Sequence, residues 1–248
     1  MDQGEAGTNN DSIAVVSSDI DVGIIPDNID TPLSALRAKI ITLLTKGTYI
    51  EGQLPDLLES GNWYALVGKA GNISEVMKIQ LSEIRDDPAE GEDYAPTIYI
   101  TTIPEIIPDP VMLFNSQGLW HTGEIKGRIE EKFVEPESSY DVGFPGFLLM
   151  AEGTSTTDDQ NVTSYEHYGL MYVKGELVQQ LYSDLSFSSK IPSLVWSGDL
   201  NKDGIPDLLF QISVDTSDTE ANYQLWISDP DGEEFLKMVS EHKIYPGA

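Results

Sequence analysis

The segment Trp63-Tyr-Ala-Leu-Val-Gly-Lys-Ala-Gly-Asn-Ile-Ser-Glu-Val-Met-Lys-Ile-Gln-Leu-Ser-Glu-Ile84 decides the fold class. It opens on an unbroken apolar run, Trp63 to Val67, of strand length and aromatic and branched in composition. Gly68-Lys-Ala-Gly-Asn72 then supplies glycines and an asparagine, the residues of a tight turn. From Val76 to Ile84 the chain alternates, with Met77, Ile79 and Leu81 apolar and Lys78, Gln80 and Ser82 polar. A period of two places one set on a buried face and the other in water, so this is a half-buried strand.

The same signals recur toward the C-terminus. Thr97 to Ile103 is β-branched and aromatic and runs into a proline-rich connector, Pro104 to Pro110. Val111 to Phe114, Glu124 to Ile129 and Phe147 to Ala151 are further short strands, with a polar loop expected over Gly153 to Thr163. Tyr168 to Val173 and Glu176 to Tyr182 flank Lys174-Gly175 as a hairpin. Tyr223 to Ile227 and Phe235 to Val239 flank Asp229-Pro-Asp-Gly232 as another. Upstream, Thr31-Pro32 has the form of a helix start. Leu33, Leu36, Ile40, Leu43 and Leu44 follow at helical spacing, and Lys46-Gly47 closes the segment.

The expected fold is therefore mostly β, built of short antiparallel strands and hairpins, sandwich or barrel-like, with one N-terminal helix. Residues 1–30, rich in Asp, Asn, Ser and Gly, are expected to form a flexible acidic leader. Residues 31–135 are expected to hold the helix and a β subdomain, and residues 147–248 a C-terminal β subdomain. The linker-like Glu135 to Gly146 lies between them.

The formal net charge is −28, from 42 acidic against 14 basic residues. Phosphate recognition needs clustered Lys and Arg, so nucleic acid is excluded as an expected partner, and an anionic lipid surface is disfavoured. Cations are attracted instead. Without a cysteine, there is no thiol nucleophile and no Cys-ligated zinc or iron–sulfur site. No apolar run approaches the roughly 20 residues that span a bilayer, and Met1-Asp-Gln-Gly-Glu5 lacks the basic and apolar regions of a signal peptide.

Within this acidity one stretch is organised: Asp199-Leu-Asn-Lys-Asp-Gly-Ile-Pro-Asp207. Asp199, Asn201, Asp203 and Asp207 occupy loop positions 1, 3, 5 and 9, with Gly204 at the sharp bend. Alternate side chains turn inward, and oxygen ligands without Cys or His select Ca²⁺. The Ile205 carbonyl is placed to contribute. Phe210 stands where an EF-hand carries its bidentate glutamate, and strand-like runs replace the flanking helices, so this is not an EF-hand.

Residues 194–214, Trp196-Ser-Gly-Asp-Leu-Asn-Lys-Asp-Gly-Ile-Pro-Asp-Leu-Leu-Phe210 at their centre, resemble the calcium-loop hairpin of FG-GAP/VCBS-type repeats. That resemblance implies Ca²⁺ as cofactor, side-chain ligands at Asp199, Asn201, Asp203 and Asp207, a carbonyl ligand at Ile205, and a periplasmic, secreted or surface-attached protein. Only one such loop occurs and no period of 20–50 residues repeats, so a complete propeller is not implied. Asn62-Trp-Tyr-Ala-Leu-Val67 is similar to segments of uncharacterised extracytoplasmic bacterial proteins.

No H-E-x-x-H or G-x-S-x-G segment is present, and His121, His167 and His242 stand isolated in sequence. Asp86-Asp87 with Glu90 to Asp93, and Glu166-His167 with Asp158-Asp159, are polar clusters that exposed loops account for. Trp120, Trp196 and Trp226 are candidates for a sugar-binding face or for core. The expectation is a calcium-binding extracytoplasmic β protein with a structural role or a protein or glycan partner. The alternative is a secreted, glycan-acting hydrolase using a carboxylate pair.

Overall fold

Fifteen strands, and no helix among the described residues, make up the computed structural model. It describes residues 39–45, 47–50, 54, 62–88, 96–159, 163–188, 191–213, 221–229 and 234–244. The mostly-β expectation is met with antiparallel pairing throughout. Nine strands form one continuous path: β1 (Lys39–Leu44), β6 (Met112–Gln117), β3 (Asn62–Gly68), β4 (Ile73–Asp86), β7 (Gly123–Phe133), β12 (Pro192–Gly198), β13 (Asp207–Ser213), β14 (Ala221–Ser228) and β15 (Leu236–Ile244). The two ends of the path, β1 and β15, come back alongside each other. The path therefore rolls into a barrel, and one apolar cluster fills it. Ile40, Phe114, Leu66, Val76, Ile125, Trp196, Leu209, Leu225 and the partly buried Val239 give that cluster a side chain from every strand.

Several strands are buried on both faces, which is why they read as unbroken apolar runs. In β3, Tyr64 and Leu66 point inward while Trp63, Ala65 and Val67 meet an outer layer. That layer is β2 (Gly47–Ile50) paired with β5 (Thr97–Ile103). Its cluster gathers Tyr49, Ile98 and Ile100 against the outside of β3. β4 reaches it by its length: Ile73 to Val76 pair with β7, while Gln80 to Asp86 leave the barrel to pair with β5. In β13, Leu209 points inward, and Leu208 and Phe210 meet a second sheet. This is a four-stranded meander of β8 (Ser138–Asp141), β9 (Phe147–Thr157), β10 (Thr163–Lys174) and β11 (Leu177–Ser188).

The helix expected from Thr31 is corrected where the structure describes it. Residues 31–38 lie outside the described residues, and Lys39–Leu44 is the strand β1. A register shift between Ile40 and Thr42 inserts one extra residue opposite β6. The bulge puts Ile40 and Leu43 on the same, inward side although they are three apart, and Leu44 joins the outer layer. A bulged strand has reproduced the spacing of a helix. The leader over residues 1–30 also lies outside the described residues.

The polar loop expected over Gly153 to Thr163 is largely strand, since β9 runs to Thr157 and β10 starts at Thr163. The β9 end of this hairpin, Thr154 to Thr157, is exposed and carries no apolar alternation, which is why it reads as a loop. The two halves expected on either side of Glu135 to Gly146 share one sheet, because β7 pairs with β12. The linker-like segment itself holds β8. It is fastened by the Glu130 carboxylate, which accepts hydrogen bonds from the Tyr140 hydroxyl (2.5 Å) and the Ser197 hydroxyl (2.6 Å). Arg128 Nε donates to the same carboxylate, and another of its nitrogens donates to the Asp141 carbonyl at 2.6 Å.

The β7–β12 seam is shaped by Trp196. Its indole is fully buried in the barrel, donates to Ser74 Oγ at 2.9 Å, and lies over the paired Gly127 and Gly198. A Cβ at Gly198 would come within 2.2 Å of the indole and 2.7 Å of both the Gly127 Cα and the Lys126 carbonyl oxygen. Because backbone as well as side chain would have to move, Gly198→Ala should lose about 3 kcal/mol in urea unfolding, the upper range for overpacking. A loss under about 1 kcal/mol would show that the seam yields.

Candidate metal centre

Residues 199–206 connect β12 to β13 and are anchored on both sides of the barrel wall. Leu200 is fully buried in the interior cluster, while Ile205 packs into the cluster under the four-stranded sheet. The Leu200 carbonyl accepts from Trp120 Nε1 at 3.3 Å, and the Asp199 N–H donates to the Lys126 carbonyl at 2.8 Å. Positive φ at Lys202 and Gly204 (60° and 84°) bends the loop, the second as the glycine position requires.

Between these anchors lie the expected site residues. Asp199 accepts from the N–H groups of Asp203 (2.9 Å) and Gly204 (3.0 Å). Asn201 Oδ1 accepts from the Asp203 N–H, and its amide nitrogen donates to Asp203 Oδ2 at 3.0 Å. Asp203 Oδ1 takes the Ile205 N–H at 2.8 Å. Asp207 is wholly buried at the head of β13, where Oδ2 accepts from the Leu200 N–H (2.6 Å) and Oδ1 from the Ser228 N–H (2.8 Å).

One contributor has no signal in the sequence. Ser228, at the end of β14, places its hydroxyl 2.6 Å from Asp203 Oδ2, 3.1 Å from Asp207 Oδ1 and 3.0 Å from the Asn201 amide nitrogen. It lies 21 residues from Asp207, and only the pairing of β13 with β14 brings it there.

The hydroxyl has one proton, so it serves one of the two carboxylates at a time. No Lys, Arg or His among the described residues forms an ion pair with Asp199, Asp203 or Asp207. Burial raises the pKa of Asp207 well above that of an ordinary aspartate, and the nearby Asp203 and Asp199 push it the same way. The Ser228 and Leu200 N–H groups oppose the shift. Asp199 is also raised, chiefly by burial. Much of the carboxylate oxygen faces the loop's own N–H groups. Accordingly, no three Asp, Glu or His side chains among the described residues are gathered as a metal-holding group.

In its oxygen-only donors and its uncompensated negative charge the residue set fits a hard divalent cation. The other constellations do not converge. Trp120 and Trp196 pack in the barrel interior and Trp226 under the four-stranded sheet, so they form no common sugar-binding face. His121 is half-buried with its pKa lowered to about 4 by burial, and His167 is exposed beside Glu166. Among the described residues no helix is long and apolar enough to cross a membrane. Compared with protein-family models, curated proteins and solved structures, the chain matches none of them.

The buried carboxylate gives a pH dependence of defined sign. The folded state takes up the Asp207 proton at a higher pH than the unfolded chain, whose value is near 3.8. With divalent ions chelated, stability should therefore rise as pH falls through the folded pKa toward 3.8, where the gain is complete. Relief of the −28 net charge acts in the same direction, and Asp207→Asn shares that background. Urea midpoints across this range should climb more steeply for the wild type than for the variant. Equal slopes would mean that Asp207 carries its charge without cost.

Proposed function

We propose that residues 199–207 bind one Ca²⁺ whose role is structural, in a non-enzymatic extracytoplasmic barrel protein. The observation that carries this reading is Asp207, a wholly buried carboxylate beside two others, with no cationic side chain among the described residues paired to any of them. When bound, the ion supplies the two positive charges that this cluster lacks. The side chains of Asp199, Asn201, Asp203 and Asp207 and the Ile205 carbonyl would hold it, with the Ser228 hydroxyl as a further oxygen.

The resemblance of residues 194–214 to an FG-GAP/VCBS calcium hairpin supports both the metal and a location where Ca²⁺ is millimolar. The burial of Asp207, and the anchoring of Leu200 and Ile205 in two cores, support a structural role over a catalytic one. A substrate does not reach a carboxylate with no exposed surface. The separation of the three tryptophans weighs against a glycan-cleaving cleft built on them.

Extracellular calcium sites have dissociation constants of about 10⁻⁴ to 10⁻³ M. At ten times the dissociation constant, linkage adds about 1.4 kcal/mol, or roughly 3–6 °C in melting temperature for a domain of this size. Thermal melts with calcium and with chelator should differ by that amount, and Asp203→Ala should remove the difference while leaving a cooperative transition. Coincident wild-type melts under the two conditions would reduce the loop to an acidic turn.

A further inference from the structure

The four-stranded sheet buries one hydroxyl in the same cluster that receives Ile205 of the loop. Tyr172, on β10, is only 1% exposed and sits in the cluster that also holds Ile205 and Leu208. Its ring stacks on Phe235 (centroids 5.7 Å apart) and leans on Phe147 at 5.8 Å. Its hydroxyl oxygen is buried and has no hydrogen-bond partner among the described residues. A hydroxyl in that condition destabilises the fold unless something meets it.

The strand pairings lead from Tyr172 to the loop. Tyr172 is paired across the sheet with Gln179. The Gln179 amide grips the Leu236 backbone, donating to its carbonyl at 2.5 Å and accepting from its N–H at 2.7 Å. Leu236 is in turn the β15 partner of Ser228, whose hydroxyl contacts both Asp203 and Asp207. The negative charges of Asp207 and Asp203 reach the phenol and, after burial, are the causes that raise its pKa.

We propose that the Tyr172 hydroxyl is the group through which a cation held by residues 199–207 engages the four-stranded sheet, so that filling the loop fastens this sheet to the barrel wall. This rests on the calcium reading above. A neutral phenol is a hard oxygen donor, suited to Ca²⁺ directly or through one coordinated water. The lone pair left unused by the protein finds its partner in the ion. Sheet docking and metal binding then become one linked equilibrium.

Tyr172→Phe tests this in the full chain, because it removes the oxygen and keeps the ring. Calorimetric titration with CaCl₂ should show binding weakened about tenfold, the loss of one bond to a charged centre. In chelator the variant should melt at or above the wild-type temperature, since it has lost only an unpartnered buried hydroxyl. Calcium should increase amide-exchange protection along β10 in the wild type and not in the variant. Equal calcium affinities would overturn the proposal. A melting temperature lowered as much in chelator as in calcium would also overturn it, by showing that the hydroxyl acts without the ion. If the wild type itself takes up no calcium, the metal reading fails and this proposal falls with it.

Discussion

The barrel depends on the meeting of β7 and β12 across the paired glycines Gly127 and Gly198, with the Trp196 indole lying over both. Five strands of the path precede this seam and four follow, counted along the barrel. Trp196 also reaches Ser74 on β4, so a single side chain fixes three neighbouring strands. The acidic loop begins at the residue after Gly198. Its first N–H is bonded to the Lys126 carbonyl on β7, so the Asp199 end of the candidate metal centre starts from that seam.

Downstream of the seam, packing and charge act against each other. Leu200 and Ile205 gain by entering the two cores, and in doing so they hold three carboxylates in a space where water cannot solvate them all. Hydrogen bonds from the loop's own backbone meet the carboxylates' need for donors but leave the charge uncompensated. This difference between a satisfied acceptor and a neutralised charge makes the loop a candidate for a cation. An ordinary acidic turn, with its carboxylates in water, would carry no such cost.

The elements legible in the sequence were those whose signal is local. The alternation of Val76 to Ile84, the Lys174-Gly175 hairpin and the oxygen spacing of Asp199 to Asp207 are each written within about ten residues, and the strands and turns among them stand where they were expected. The bulge in β1 was not legible, because one extra residue turns a strand's period of two into the three-residue step of a helix. Barrel closure was equally hidden, since it depends on β1 and β15 meeting from opposite ends of the described chain. Ser228 reaches the loop through strand pairing alone, and Tyr172 shares a core cluster with the loop's Ile205 only through sheet packing; a serine before a turn or a tyrosine in a strand is unremarkable as sequence.

The seam bears on how the chain folds. β7 and β12 are neighbours in space, yet the whole four-stranded meander intervenes between them in sequence, with Phe133 opposite Ser193. Bringing such distant residues together costs loop-closure entropy, and contacts of this kind slow folding. The meander shortens that search. Its strands pair in sequence order, so it can zip up from local hairpins and bring its two ends close before the barrel has formed. In that order of events the insertion acts as a splint for the late, long-range step.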